Sequence, residues 1–186
     1  MTVFLTADLH LFHDGIIGHC PDTRPFSTAS QMNDAIVASW RATVQPNDDV
    51  WVVGDFAHRW PDERLLRRVF DALPGKKNLV VGNHDDATVQ TLPWASVQDR
   101  VQTVIDGTRV VMDHYAMRVW PGQRKGTVML FGHSHGRLPG NTMSCDVGVD
   151  VFGLAPVRLA VVKAHLATLP EFEHPELSND IGGLKP

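Results

Sequence analysis

The sequence predicts an α/β protein, a layered domain in which short apolar strands are joined by amphipathic helices. Three observations carry the prediction. Short apolar runs alternate with helical periodicity along the chain, several runs lack in-out alternation, and each clear helix links one run to the next. Strands are expected at about residues 3–7, 49–54, 78–82, 101–105, 109–113, 128–132, 147–151 and 158–163. Val50-Trp51-Val52-Val53 and Leu79-Val80-Val81 are apolar at successive positions, the mark of central strands covered on both faces.

Two helices stand out. Thr28 and Gln31 have capping-box spacing, and Met32, Ile36, Trp40 and Val44 recur one turn apart, so a helix runs from there to about Gln45-Pro46. A second helix is expected with Pro61 in its first turn, burying Leu65, Leu66, Val69, Phe70 and Leu73 and stopping at Pro74-Gly75. From Pro170 onward the chain is polar and aperiodic. The expected division is a domain over 1–169 and a tail over 170–186, laid on the surface or partly disordered.

Composition narrows the class. At 186 residues, with 43% hydrophobic and 20% charged positions, the chain suits one soluble domain. No apolar run nears the roughly 18 residues that span a bilayer, so no membrane role is expected. The start, Met1 to Asp8, lacks the positive segment and cleavage site of a leader, which gives a cytoplasmic expectation. Cys20 and Cys145 match no paired metal spacing and are expected as free thiols. A formal net charge of −4 argues against tight sequence-blind binding of nucleic acid, and no obligate protein partner is evident.

The unusual feature is histidine, present ten times. Asp8-Leu9-His10, Gly54-Asp55-Phe56-Ala57-His58, Gly82-Asn83-His84-Asp85, Asp113-His114-Tyr115 and Gly132-His133-Ser134-His135-Gly136 each close an expected strand. The crevice beyond strand C-termini is where open α/β sheets bind ligands. Taken singly, each piece reads as a turn aspartate, a helix cap or a surface histidine. Five at successive strand ends do not arise from turn chemistry alone, and they bring carboxylates, imidazoles and one amide to a common rim.

This ordered set resembles the signature of the calcineurin-like metallophosphoesterases, over about residues 3–163. Asn83-His84-Asp85, His114-Tyr115 with Trp120, Gly132 to Gly136 and Asp146-Val147-Gly148-Val149-Asp150 are similar to the small predicted phosphoesterases of that superfamily, although Ala116 stands where proline is expected. The resemblance implies a four-layer αββα sandwich of two mixed β-sheets flanked by helices, without a cap domain. It implies two divalent metal ions, one held by Asp8, His10 and His135, the other by Asn83, His114 and His133, with Asp55 bridging. Manganese heads the candidates, with iron, zinc, nickel and cobalt behind it.

The expected reaction is hydrolysis of a small phosphodiester or phosphomonoester by in-line attack of a metal-bridging hydroxide. His84 is the expected general acid, with Asp85 orienting it through its other ring nitrogen. Substrate-binding candidates are Arg24, His13, His58 and Arg118, each with the competing reading of a solvated or supporting side chain. Alternatives within the enzyme class are a nuclease taking a short oligonucleotide and a dinucleoside polyphosphate hydrolase. Outside it stand a catalytically silent scaffold and a closed structural metal site, which the shared Asp55 and neutral Asn83 disfavour.

Overall fold

Two mixed β-sheets, stacked face to face, form the centre of the protein in a computed structural model that describes residues 1–58 and 62–173. The first sheet contains β1 (Val3–Thr6), β2 (Asp49–Val53), β3 (Lys76–Val80) and β4 (Ser96–Gln98), all parallel. The second contains β5 (Arg100–Ile105) and β6 (Thr108–Asp113), an antiparallel hairpin, then β7 (Val128–Phe131) and β8 (Ser144–Asp146) parallel to β6. A two-residue strand, β9 (Val157–Arg158), returns to the first sheet antiparallel to β1.

The non-alternating strands are explained by two cores, one on each side of the first sheet. Phe4, Val52 and Leu79 face outward, onto Met32, Ile36 and Trp40 of α2 (Ala29–Thr43, after the short α1 at Asp14–His19) and onto Leu66 and Phe70 of α3 (Glu63–Ala72). Their neighbours Leu5, Val53 and Val80 face the second sheet and meet Val110, Met112 and Leu130. Each strand therefore buries consecutive residues, one to each core. The far face of the second sheet packs Val111, Met129 and Phe131 against Trp120 and Phe172. The flanked two-sheet α/β plan is the one expected from the sequence.

Local signals locate the helices. Thr28 caps α2 by accepting from the Gln31 N–H at 3.3 Å, while Gln31 Oε1 accepts from the Ser27 N–H at 3.0 Å, one residue before the N–H a capping box uses. Helix α3 is capped by Asp62, which accepts from the Arg64 and Leu65 N–H groups. Pro61, expected in its first turn, lies outside the described residues, as does the tail from 174 onward.

Two expected strands are corrected. Residues 147–151 are not a strand: β8 ends at Asp146, the Gly148 N–H turns back onto Asp146 Oδ1 at 2.6 Å, and α5 (Val149–Phe152) follows the four-residue α4 (Ala87–Gln90) in chain order. Residues 158–163 are mostly α6 (Leu159–Leu166), because the buried positions are Leu159, Val162 and Leu166, spaced for a helix. Strand β4 escaped the sequence reading, being three residues long, at a sheet edge and largely exposed. Among the described residues, no helix is long and apolar enough to cross a membrane.

Register decides what meets at the sheet edge. Val53 pairs with Val80, so two residues further on Asp55 comes beside Gly82. The loops after β1 and β2 continue side by side: the Asp8, His10 and Leu11 N–H groups donate to the Gly54, Asp55 and Phe56 carbonyls.

Candidate metal centre

All seven residues expected as metal ligands converge at this edge. Donor atoms of Asp8, His10 and His135 lie within 4.8 Å of one another, as do those of Asp55, His114 and His133. Asn83 Oδ1 lies 3.0 Å from His114 Nε2 and 2.9 Å from His133 Nδ1. Asp55 Oδ2 stands 3.4 Å from both His10 Nε2 and His114 Nε2, between the two groups. Asp8, His10, Asp55 and His114 are almost completely buried.

The backbone is bent to achieve this. Asp8, His10, Asp55, His133 and His135 all adopt positive φ, between 48° and 67°. For residues other than glycine this costs on the order of 1–3 kcal/mol each and persists only where the surroundings enforce it. Here Gly54, Gly82 and Gly132 give the room. A Cβ on Gly82 would lie 2.3 Å from Asp55 Oδ1 and 2.5 Å from its backbone nitrogen. Gly82→Ala is therefore expected to displace the Asp55 carboxylate and weaken binding of added Mn(II) by at least about 10–100-fold; unchanged affinity by calorimetric titration would contradict this placement.

Supporting bonds select which ring nitrogen faces the centre. The His114 Nδ1–H donates to the Val53 carbonyl at 3.0 Å and the His135 Nδ1–H to Asp150 Oδ2 at 2.7 Å, while His10 Nδ1 meets His13 Nδ1 at 3.3 Å. In each ring Nε2 is the nitrogen left for the centre. His10 Nε2 is buried and has no hydrogen-bond partner among the described residues.

Electrostatics point the same way. Burial, reinforced by Asp146, pushes the Asp8 carboxyl up to about 7. Burial also pushes His10 down to about 2, against the pull of Asp55. For Asp55, burial opposes ionisation, yet His114 and then His10 hold the carboxyl at about 2. His114 mirrors this: its burial cost is outweighed by Asp55 and it rises to about 9. The site concentrates negative charge and lone pairs where positive charge is favoured.

The other candidates divide. Asp85 does not orient His84: Oδ2 accepts from the Asp55 and Gly82 N–H groups and Oδ1 from Phe56, so its carboxylate is committed to the backbone of the Asp55 turn. The partner of His84 is His58, with their Nδ1 atoms 2.9 Å apart, and His13 stacks on His58 at 3.9 Å. A ring nitrogen of His84 lies within 4.8 Å of donor atoms of His10 and Asp55. Arg24 is neither phosphate-facing nor on the surface. It is completely buried, bonding Asp150 through Nε (2.9 Å) and Nη2 (2.7 Å) and the Asp8 and Leu9 carbonyls. Arg118 stays exposed on the loop after His114.

Two supporting carboxylates were given no role from the sequence. Asp146 accepts from the Ser134 hydroxyl and the Gly136 and Gly148 N–H groups, holding the His133–His135 turn, and Asp150 joins His135 to Arg24. Their one sequence signal was membership of the Asp146 to Asp150 run.

The pattern defining the calcineurin-like phosphoesterases matches residues 1–104, more than half of the chain. The chain belongs to this family. An uncharacterized protein of Methanocaldococcus jannaschii is 31% identical over 83 residues, 45% of this chain and 46% of that protein, so the alignment spans under half of the relative's length. The Gene 66 protein of Mycobacterium phage D29 is 28% identical over 187 residues, covering 81% of this chain and 88% of its own length. A protein of unknown function from Aquifex aeolicus, 20% identical, shares the fold with a TM-score of 0.69 over 88% of this chain and 98% of its own. The matched residues include Asp8, His10, Asp55 and Asn83, while His114, His133 and His135 lie beyond them.

Proposed function

We propose that the chain is a dinuclear-metal-dependent phosphoesterase, hydrolysing a small phosphodiester or phosphomonoester with His84 as general acid and residues 1–169 as the catalytic unit. The observation that supports this most is Asp55 Oδ2 at 3.4 Å from both His10 Nε2 and His114 Nε2, one carboxylate serving two donor groups. The donors suit divalent cations: the buried Nε2 of His10, which makes no hydrogen bond among the described residues, and the desolvated Asp8 carboxyl both gain from positive charge between them. Asp8, His10 and His135 would hold one ion, Asn83, His114 and His133 the other, and Asp55 both. When bound, the pair would lower the pKa of water and offset charge developing on phosphate oxygens. Neutral Asn83, in place of a further carboxylate, leaves the site attractive to a phosphate anion.

Proton delivery falls to His84. With its Nδ1–H donating to His58 Nδ1, the ring keeps that proton while Nε2 protonates the departing oxygen. The stack of His13 on His58 restrains His58 in turn. The test is a panel of Mn(II), Fe(II), Co(II), Ni(II) and Zn(II) against bis(p-nitrophenyl) phosphate, p-nitrophenyl phosphate, cyclic nucleotides and short oligonucleotides. Metal-loaded protein inert toward every ester would end the proposal. His84→Ala is expected to lower turnover about a hundred- to ten-thousandfold on esters with alkoxide leaving groups, and far less on nitrophenyl esters, which need no proton. Equal losses on both would remove the general-acid role.

A further inference from the structure

Resting on the phosphoesterase reading, we infer that Tyr115 is a stacking platform for a nucleobase, making nucleotides the substrate class of this site. Tyr115 is the sole tyrosine of the chain and leaves 50% of its surface exposed. A single exposed aromatic is ordinary; a restrained one beside a candidate catalytic centre is not. Its ring packs edge-on against His133, at 4.7 Å between centroids, and His114, at 5.2 Å. Its N–H donates to Asp113 Oδ1 at 3.0 Å, and Asp113 Oδ2 accepts from Arg100 Nε at 2.8 Å. At the other end of the loop Trp120 is buried, its indole N–H donating to the Thr127 carbonyl at 2.7 Å. The short rim between these anchors thus carries one oriented aromatic ring, with the exposed Arg118 three residues on.

The tyrosine ring lies 4.7 Å from the His133 ring and 5.2 Å from the His114 ring, centroid to centroid, so a phosphate held on that side of the centre would have this aromatic surface beside it. A nucleobase is a flat aromatic group that a phosphate ester can present to such a surface. Base-on-aromatic stacking tolerates any base, because every base has a π-face. The site is thereby expected to recognise nucleotides without reading which base they carry.

Equilibrium binding tests this without relying on turnover. AMP and ribose 5-phosphate are used as their uncleavable 5′-methylenephosphonate analogues, which the loaded protein cannot consume; they differ at the anomeric carbon, which carries the base in one and a hydroxyl in the other, and both are titrated into the full chain in Mn(II). Wild type is expected to bind AMP about tenfold or more tighter than ribose 5-phosphate, Tyr115→Phe to keep that ratio, and Tyr115→Ala to bring it within about twofold. A ratio near one in wild type, or a wild-type ratio surviving in Tyr115→Ala, overturns the inference. A protein that binds AMP selectively yet hydrolyses nothing upholds the platform and sinks only the enzyme reading. Active enzyme with a flat ratio does the reverse.

Discussion

Asp55→Asn is expected to abolish both turnover and stabilisation by divalent cations, the largest functional loss of any single substitution. Asp55 Oδ2 stands 3.4 Å from a ring nitrogen of each donor group, His10 Nε2 in one and His114 Nε2 in the other, so its loss is expected to exceed the roughly 10–100-fold cost of removing a partner one step from a metal. Saturating cation at about a thousand times its Kd stabilises a folded protein by about 4 kcal/mol. For a chain of this size that is a rise in Tm of roughly 8–16 °C. Wild type should show this rise with Mn(II) and Asp55→Asn should not. Metal-free protein gives an independent check. The folded Asp55 carboxyl lies below its ordinary 3.8, so its contribution is present above pH 3.8 and lost as pH falls through about 2. His114 lies above its ordinary 6.5, so its contribution is complete below pH 6.5 and lost as pH rises through about 9. The two shifts describe one pairing, fully formed between about pH 4 and 6.5. In chelator, Asp55→Asn should therefore destabilise most in that window and least above pH 9. A variant matching wild type in cation response would refute the shared-carboxylate assignment.

What the sequence disclosed was chemistry carried on single segments. Asp8, Asp55, Asn83, His114, His133 and His135 are legible because each follows a short apolar run that reads as a strand, and strand ends are where such sheets place ligands. The trans-sheet supports were not legible. Arg24 and Asp150 are 126 residues apart, and nothing local distinguishes a buried guanidinium from a solvated one. The expected Asp85–His84 pair failed for a related reason: adjacency in the chain suggested contact, but three backbone N–H groups compete for Asp85 and take both its oxygens. The helix at Leu159–Leu166 was mistaken for a strand because Val161-Val162 favours extended backbone, while burial at Leu159, Val162 and Leu166 favours a helix, and packing overrode propensity. The site's ingredients were local; its scaffolding depends on the fold.

Arg24→Met is expected to be the most destabilising change away from the metal-binding groups. The guanidinium is fully buried, and apart from Met32 of α2 its hydrogen bonds go to Asp150 and to the Asp8 and Leu9 backbone. Nε and Nη2 pair with both oxygens of Asp150, Nη2 also meets the Asp8 carbonyl, and Nη1 meets the Leu9 carbonyl and Met32 Sδ. Asp150 is held well below the ordinary carboxylate range although burial opposes this, because His135 and Arg24 bond it. Removing Arg24 leaves the Asp8 and Leu9 carbonyls without this donor and the buried Asp150 carboxylate with only His135 and the Thr23 hydroxyl to hold it. Breaking one partner of such a pair costs about 3–5 kcal/mol, a fall in Tm of roughly 6–20 °C at this size. Replacing both partners with apolar residues is a different case, often neutral for stability. Arg24→Met combined with Asp150→Leu should therefore recover much of the lost stability in denaturant titration. It should not recover cation affinity, since His135 has lost the carboxylate that holds its Nδ1–H and the Asp8–His10 loop has lost its clamp. Recovery of both would mean that the pair only fills space, and an Arg24→Met variant as stable as wild type would mean the pair contributes nothing to the fold.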